Sequence, residues 1–171
     1  MKYVNPELGP EYQARILSEL DPDFLHYFPQ RLLAIAKLCR RGEYSVSPSR
    51  IFTYGENLTS GMREYIGETF DAPVVDLYST TEFGTVAWSC PEGGYHINED
   101  VVYPEIKEVE EGTGSLVLSG LVNSITPFLR YDIGDLVEVQ AEKCSCDTSF
   151  MKVGGFRGRR SDVFRNSSGE R

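Results

Sequence analysis

Apolar residues recur at helical spacing in three stretches of the first half of the chain, and each stretch carries its own punctuation. "GPEYQARILSEL" (9 to 20) starts at Pro10, a residue suited to a first helical turn, and predicts a helix. "PQRLLAIAKLCRRG" (29 to 42) predicts a second, with Lys37, Arg40 and Arg41 at the negative end of its dipole and Gly42 closing it. "TSGMREYIGETF" (59 to 70) predicts a third, with Thr59 as its N-cap. Between them, "DPDFLHYFP" (21 to 29) reads as a short buried strand, followed by the strands "SRIFTYG" (49 to 55) and "APVVDLY" (72 to 78). Strands alternating with helices of this length predict an α/β fold with a mostly parallel sheet and flanking helices.

From about Ala87 the pattern changes. "GYHINEDVVYPEIKEVE", "GSLVLSGLV", "PFLRYDIGDLVEVQ" and "SFMKVGGF" read as strands joined by glycine and polar turns, with no helix between them. They predict a smaller antiparallel β subdomain, with a small barrel as one form open to it. The expected division is an α/β subdomain over 1–89 and a β subdomain over 90–156, with no internal repeat and no low-complexity tract.

Composition narrows the function more than the fold. The chain has 171 residues, 40% of them hydrophobic and 25% charged, as expected for a globular protein. It has no apolar run of membrane-spanning length, and "MKYVNPELGPEYQ" lacks the apolar core of a signal peptide, so no membrane partner and a cytoplasmic location are expected. Seventeen basic and 26 acidic residues leave a net charge of −9, which argues against nucleic acid as a partner. A nucleotide in a local pocket stays open. The acidic stretch "EIKEVEEGTG" (105 to 114) reads as a solvated hairpin or loop.

The chemistry concentrates in "DLYSTTEFG" (76 to 84), where three hydroxyls, a ring and a carboxylate follow a β-type run. Ligands of open α/β sheets collect beyond the carboxyl ends of strands. If the strands ending in "FTYGEN" and "VVDLYSTTE" are neighbours, Gly55, Glu56 and the Tyr78 to Glu82 segment face one crevice. A second constellation joins "CPEGGYH" and "CSC": Cys90, His96, Cys144 and Cys146 supply three sulfurs and an imidazole, a suitable tetrahedral set for zinc. The Cys-x-Cys spacing and the long separation leave unlinked thiols and a disulfide open beside a metal. Cys39 reads as a small apolar residue of the second helix, and His26 as a core or cleft histidine.

Three motifs in order carry a resemblance. "YSTTE" resembles the Tyr-Gly-x-Thr-Glu motif of adenylate-forming enzymes, "RYDIGD" (130 to 135) their Arg-Tyr-x-x-Gly-Asp motif, and "GRRSD" (158 to 162) their Gly-Arg-x-Asp-Asp hinge motif. Within that superfamily the chain is most similar to phenylacetate–CoA ligases and related aryl-acid ligases, along nearly its whole length. The resemblance implies part of the large domain of such an enzyme. It implies ATP-dependent activation of a small carboxylic acid as acyl-AMP, followed by transfer to coenzyme A, with magnesium as cofactor. Tyr78 would stack on adenine, with Asp76, Ser79, Gly55 and Glu56 around it. Thr81 would approach the phosphate, Glu82 would hold Mg²⁺, Asp135 would accept the ribose hydroxyls, and Arg159 would touch ribose or phosphate. Phe83 and Gly84 would border the acid pocket. Arg130 is open to a simpler role, pairing with a nearby acid. The resemblance also adds weight to zinc at Cys90, His96, Cys144 and Cys146, and a homodimer is compatible with it.

The chain departs from the family pattern in four respects. No Ser/Thr/Gly-rich phosphate loop is found, "NLTSGMRE" belonging to the third helix. The lysine-bearing lid has no counterpart, 157–171 reading as a hinge toward it. Ser79 replaces the motif glycine, and Ser161 the first hinge Asp. The expectation is therefore an excised fragment, a truncated reading frame or a degenerate paralogue that binds AMP or ATP weakly and makes no acyl-CoA alone. A non-catalytic AMP- or acyl-binding module and a zinc-stabilised interaction domain are the competing readings.

Overall fold

A computed structural model describes the chain except residues 1–3, 6, 141–143 and 163–171, so most of the expected hinge over 157–171 lies outside the described residues. Two compact units divide it, Met1–Tyr78 and Ser79–Arg171.

The first unit contains α1 (Pro10–Leu20), β1 (Phe24–Tyr27), α2 (Pro29–Arg40), β2 (Arg50–Tyr54), α3 (Ser60–Phe70) and most of β3 (Val74–Thr80). Prolines open α1 and α2, and the Thr59 hydroxyl accepts the Met62 N–H at the start of α3, satisfying a donor the helix cannot. β1, β2 and β3 run parallel in that order, each pair joined through a helix. The core lies between helices and sheet: Leu32, Ile35 and Ala36 of α2 fall on one face at helical spacing and are fully buried with Ile51 and Ile66. Each such aliphatic side chain contributes roughly 1.5–3 kcal/mol through burial. Arg40 ties α2 to α3, donating to Glu68 at 2.7 Å and to Thr69 at 2.8 Å while lying over the Tyr65 ring.

β1 is half-buried by alternation. Leu25 and Tyr27 enter the core, while Phe24 and His26 face outward. His26 is therefore on an open strand face, stacked against Tyr54 with ring centroids 4.1 Å apart, and not in the core; partial burial lowers its pKa.

The second unit is antiparallel throughout its described strands: β4 (Gly84–Ser89), β5 (Tyr95–Ile97), β6 (Val102–Glu110), β7 (Thr113–Gly120), β8 (Tyr131–Val139) and β9 (Lys152–Arg159), followed by a 3-10 turn at Arg160–Asp162. Their order is β4-β5-β9-β8-β7-β6, so β9 returns between β5 and β8. Val86, Ile97, Val102, Leu116, Leu118 and Val137 form its buried interior. The acidic stretch 105–114 is the β6–β7 hairpin, turning at Glu111 and Gly112, both with positive φ.

β4, which begins at Gly84 and runs through Ala87, is a strand the sequence pattern did not announce. The run "GYHINEDVVYPEIKEVE" is two strands, because Asn98 turns the chain: its carbonyl accepts the N–H groups of Val101 and Val102. "PFLRYDIGDLVEVQ" becomes extended only at Tyr131, since Arg130 has a φ of 47°.

Candidate nucleotide-site residues and metal centre

β2 and β3 are parallel neighbours in the register Thr53↔Asp76 and Tyr54↔Leu77, so Gly55 follows β2 at the sheet end where Tyr78 stands. Gly55 has a φ of +75°, and a Cβ there would approach Phe28 to 3.1 Å, so glycine suits the strand exit on both counts. Glu56 turns its carboxylate to the start of α2 and accepts the Gln30 N–H at 3.1 Å, a favourable place for negative charge. Asp76 is buried and accepts the Thr53 hydroxyl at 2.6 Å, bridging β2 and β3. Replacing Asp76 with Ala removes that acceptor from a buried hydroxyl. A loss of about 1–3 kcal/mol is expected in urea unfolding of the ligand-free chain. Tyr78 is half-buried on β3.

In the second unit, Ser79 and Thr81 are exposed, the Ser79 hydroxyl lying 3.3 Å from that of Thr85. The Thr80 hydroxyl accepts the Phe83 N–H, fixing the turn that carries Glu82. Glu82 accepts the Tyr131 hydroxyl at 3.4 Å, which links "YSTTE" to "RYDIGD". Phe83 packs on Phe128 and Tyr131, and Gly120 lies close against its ring.

Two of the motifs meet across β8 and β9. Asp135 pairs in register with Arg159, whose Nε lies 3.6 Å from the Asp135 carboxylate. Arg160 donates to Asp132 at 2.9 Å. Burial pushes the Asp132 carboxyl up, but the Gly134 N–H, the Ser115 hydroxyl and Arg160 together hold it below its usual range. Spacing alone did not single out this Asp132–Arg160 tie or Tyr131. Arg130 is engaged elsewhere: its guanidinium grips the Glu105 carboxylate through two hydrogen bonds of 2.9 and 3.0 Å, and Glu105 is held low by it.

The cysteines and histidine of the second constellation come together. The ligand atoms of Cys90, His96, Cys144 and Cys146 all lie within 4.8 Å of one another. Cys90 follows β4 in a turn where Gly93 and Gly94 take positive φ, His96 stands on β5, and the Cys-x-Cys pair lies in the β8–β9 loop. The Cys90 and Cys144 sulfurs are 3.5 Å apart, and His96 Nε2 is 3.2 Å from the Cys146 sulfur. Two sulfurs bound at 2.3 Å on a tetrahedral zinc stand about 3.8 Å apart, so the set fits with small adjustments. A disulfide needs about 2.05 Å, and all four cysteines are free thiols. His96 Nδ1 lies 3.1 Å from the Phe150 carbonyl and donates to it, which leaves Nε2 with a lone pair toward the sulfurs. Burial pushes the Cys90 thiol up to about 11, while the Cys146 N–H pointing at Cys144 brings that thiol down to about 6. Trp88 screens the centre, its ring against His96 and Phe150.

An open groove of about 690 Å³ near Glu92, Glu138 and Arg157 is lined by none of the residues expected to hold the nucleotide.

The helices and strands described above share their fold with part of each of several larger ligases of known structure. Acid–CoA ligases are among these structural neighbours. A 2-hydroxyisobutyryl-CoA ligase, solved in an open conformation with 2-HIB-AMP and CoA, matches with a TM-score of 0.78 at 20% identity, over 95% of this chain and 39% of that one. The anthranilate CoA ligase AuaEII with anthranoyl-AMP matches with a TM-score of 0.69 at 14% identity, over 94% and 34%. In sequence, the chain is 27% identical over 169 residues to the phenylacetate-coenzyme A ligase of Thermus thermophilus, and 29% identical over 159 residues to Protein CapK of Staphylococcus aureus. These alignments take in 90 and 91% of this chain but 38 and 35% of the relatives, so the chain spans less than two-fifths of their length. No model of a known protein family matches it. Among the described residues no helix is long and apolar enough to cross a membrane.

Proposed function

We propose that the chain supplies the adenosine-binding part of an ATP-dependent carboxylic acid–CoA ligase similar to phenylacetate–CoA ligases. The observation that carries this reading is the register of Asp135 against Arg159, which brings the second and third motifs together on adjacent strands. An ionised Asp has acceptor capacity for both hydroxyls of a ribose, and Arg159 beside it offers donors to ribose or phosphate. Tyr78 is the adenine platform in this reading, with Gly55, Glu56, Asp76 and Ser79 about the base. Thr81 donates to the phosphate. Glu82, steadied by Tyr131, is the magnesium ligand, a hard carboxylate oxygen beside phosphate oxygens. Bound magnesium would supply charge neutralisation at the transferring phosphoryl group.

The Cys90, His96, Cys144 and Cys146 set is assigned to structural zinc in the same reading. Its donors are soft thiolates and an imidazole with a fixed tautomer, and all four positions are filled by protein, as in structural and unlike catalytic zinc sites.

Titration of the 171-residue chain with AMP in the presence of magnesium is expected to give saturable heat, with GMP weaker. Heat indistinguishable from dilution for AMP would overturn the assignment.

A further inference from the structure

A residue beside the metal set takes on a role if that set holds zinc, and the inference rests on that reading. Three thiolates and a neutral imidazole around Zn²⁺ leave one excess negative charge. An excess charge that is partly removed from water is costly unless a partner meets it. Lys152 is placed to be that partner. Its Nζ lies 3.3 Å from the Cys144 sulfur and 3.2 Å from the Glu92 carbonyl oxygen. It therefore donates to a ligand on the β8–β9 loop and to the β4–β5 turn that carries Cys90.

The backbone is shaped to admit it. Lys152 stands opposite His96 in the β5–β9 register, so both side chains leave the sheet on one face. Gly94, with φ +70°, lies beneath the lysine stem. A Cβ there would come 2.4 Å from the Val153 carbonyl oxygen and 3.2 Å from Lys152 Cε. Glycine at 94 leaves the stem its path.

We propose that Lys152 is a positioning residue of the metal centre: its ammonium hydrogen-bonds the Cys144 sulfur and offsets the excess charge of the loaded site, raising affinity for zinc. Neighbours of this kind typically change metal affinity by about 10–100-fold.

The test is chelator competition for zinc on the full chain, comparing the wild type with Lys152→Met and Lys152→Arg at one pH and salt concentration. The Met variant is expected to bind zinc about tenfold more weakly, and the Arg variant to recover most of that loss. The thermal midpoint of Lys152→Met is expected to fall further below that of the wild type with zinc than without it, because the excess charge of the loaded site is present only when metal is bound. With cobalt in place of zinc, the sulfur-to-metal charge-transfer band of Lys152→Met is expected at longer wavelength, since a hydrogen bond to sulfur is lost. Equal zinc affinity in wild type and Met variant overturns the role of Lys152 while leaving the metal site standing. A midpoint lowered equally with and without metal overturns it in favour of a plain strut. A wild type that binds no zinc overturns the metal reading, and the inference with it.

Discussion

Replacing Cys146 with serine is expected to abolish the zinc retention expected of the wild-type chain in purification without chelator, and to cost much of the stability of the second unit. The four ligands come from three places: the turn after β4, strand β5 and the β8–β9 loop. A metal there closes the loop onto the sheet, replacing the weaker contacts of Cys144 with Cys90 and of Cys146 with His96 that otherwise hold the Cys-x-Cys segment. Structural zinc supplies about 10–16 kcal/mol in small fingers that have no other core. The second unit has its own interior at Val86, Ile97, Leu116, Leu118 and Val137, so a smaller share is expected. A loss of ~3–4 kcal/mol, at about 2–4 °C per kcal/mol, lowers the thermal midpoint by roughly 10 °C. Chelation of the wild type is expected to reproduce that shift. Amide exchange is expected to quicken at 90–96 and 144–151, with the β6–β7 hairpin little changed. Less than a tenth of an equivalent of zinc, roughly, in the wild type, or an unshifted midpoint in Cys146→Ser, would remove the metal from the account.

The second large effect concerns the nucleotide. Asp135→Ala is expected to weaken AMP binding by at least about 100-fold, since each hydrogen bond to a charged acceptor is worth about 1.5–3 kcal/mol and the ribose offers two. Asp135 is partly buried and held between its own strand and Arg159, so the carboxylate is already oriented and little entropy is lost when a ligand arrives. Tyr78→Ala is expected to cost about 1–3 kcal/mol through lost stacking. The two losses differ in kind. A nucleotide without ribose hydroxyls erases the first and leaves the second. Equal AMP affinity in wild type and Asp135→Ala, by calorimetry, would contradict the ribose assignment.

Most of the first unit was legible because its residues act locally. Pro10, Pro29 and Thr59 start helices by chemistry that needs no tertiary partner, and the β-branched runs between them have only one extended reading. The second unit was read more coarsely because its breaks are single residues. Arg130 at positive φ and the Asn98 turn interrupt runs whose hydrophobic pattern is continuous. His26 was read as a core or cleft histidine, and the alternation of β1 removes the core alternative by turning its ring outward.

The candidate sites divide in the same way. Cys90, His96, Cys144 and Cys146 could be nominated from their donor chemistry, although 47 residues separate His96 from Cys144. Lys152 and the Phe150 carbonyl could not, because only the return of β9 beside β5 brings them there. Asp132 was passed over inside "RYDIGD" in favour of Asp135; its partners Ser115 and Arg160 lie far away in the chain.

The central claim is that these residues hold the adenosine part of a nucleotide. It is tested most directly by titrating the wild-type chain with AMP and with 2′,3′-dideoxy-AMP under identical conditions. The account requires AMP to bind at least about tenfold more tightly, with the difference vanishing in Asp135→Ala. Equal affinities for the two nucleotides in the wild type would contradict it.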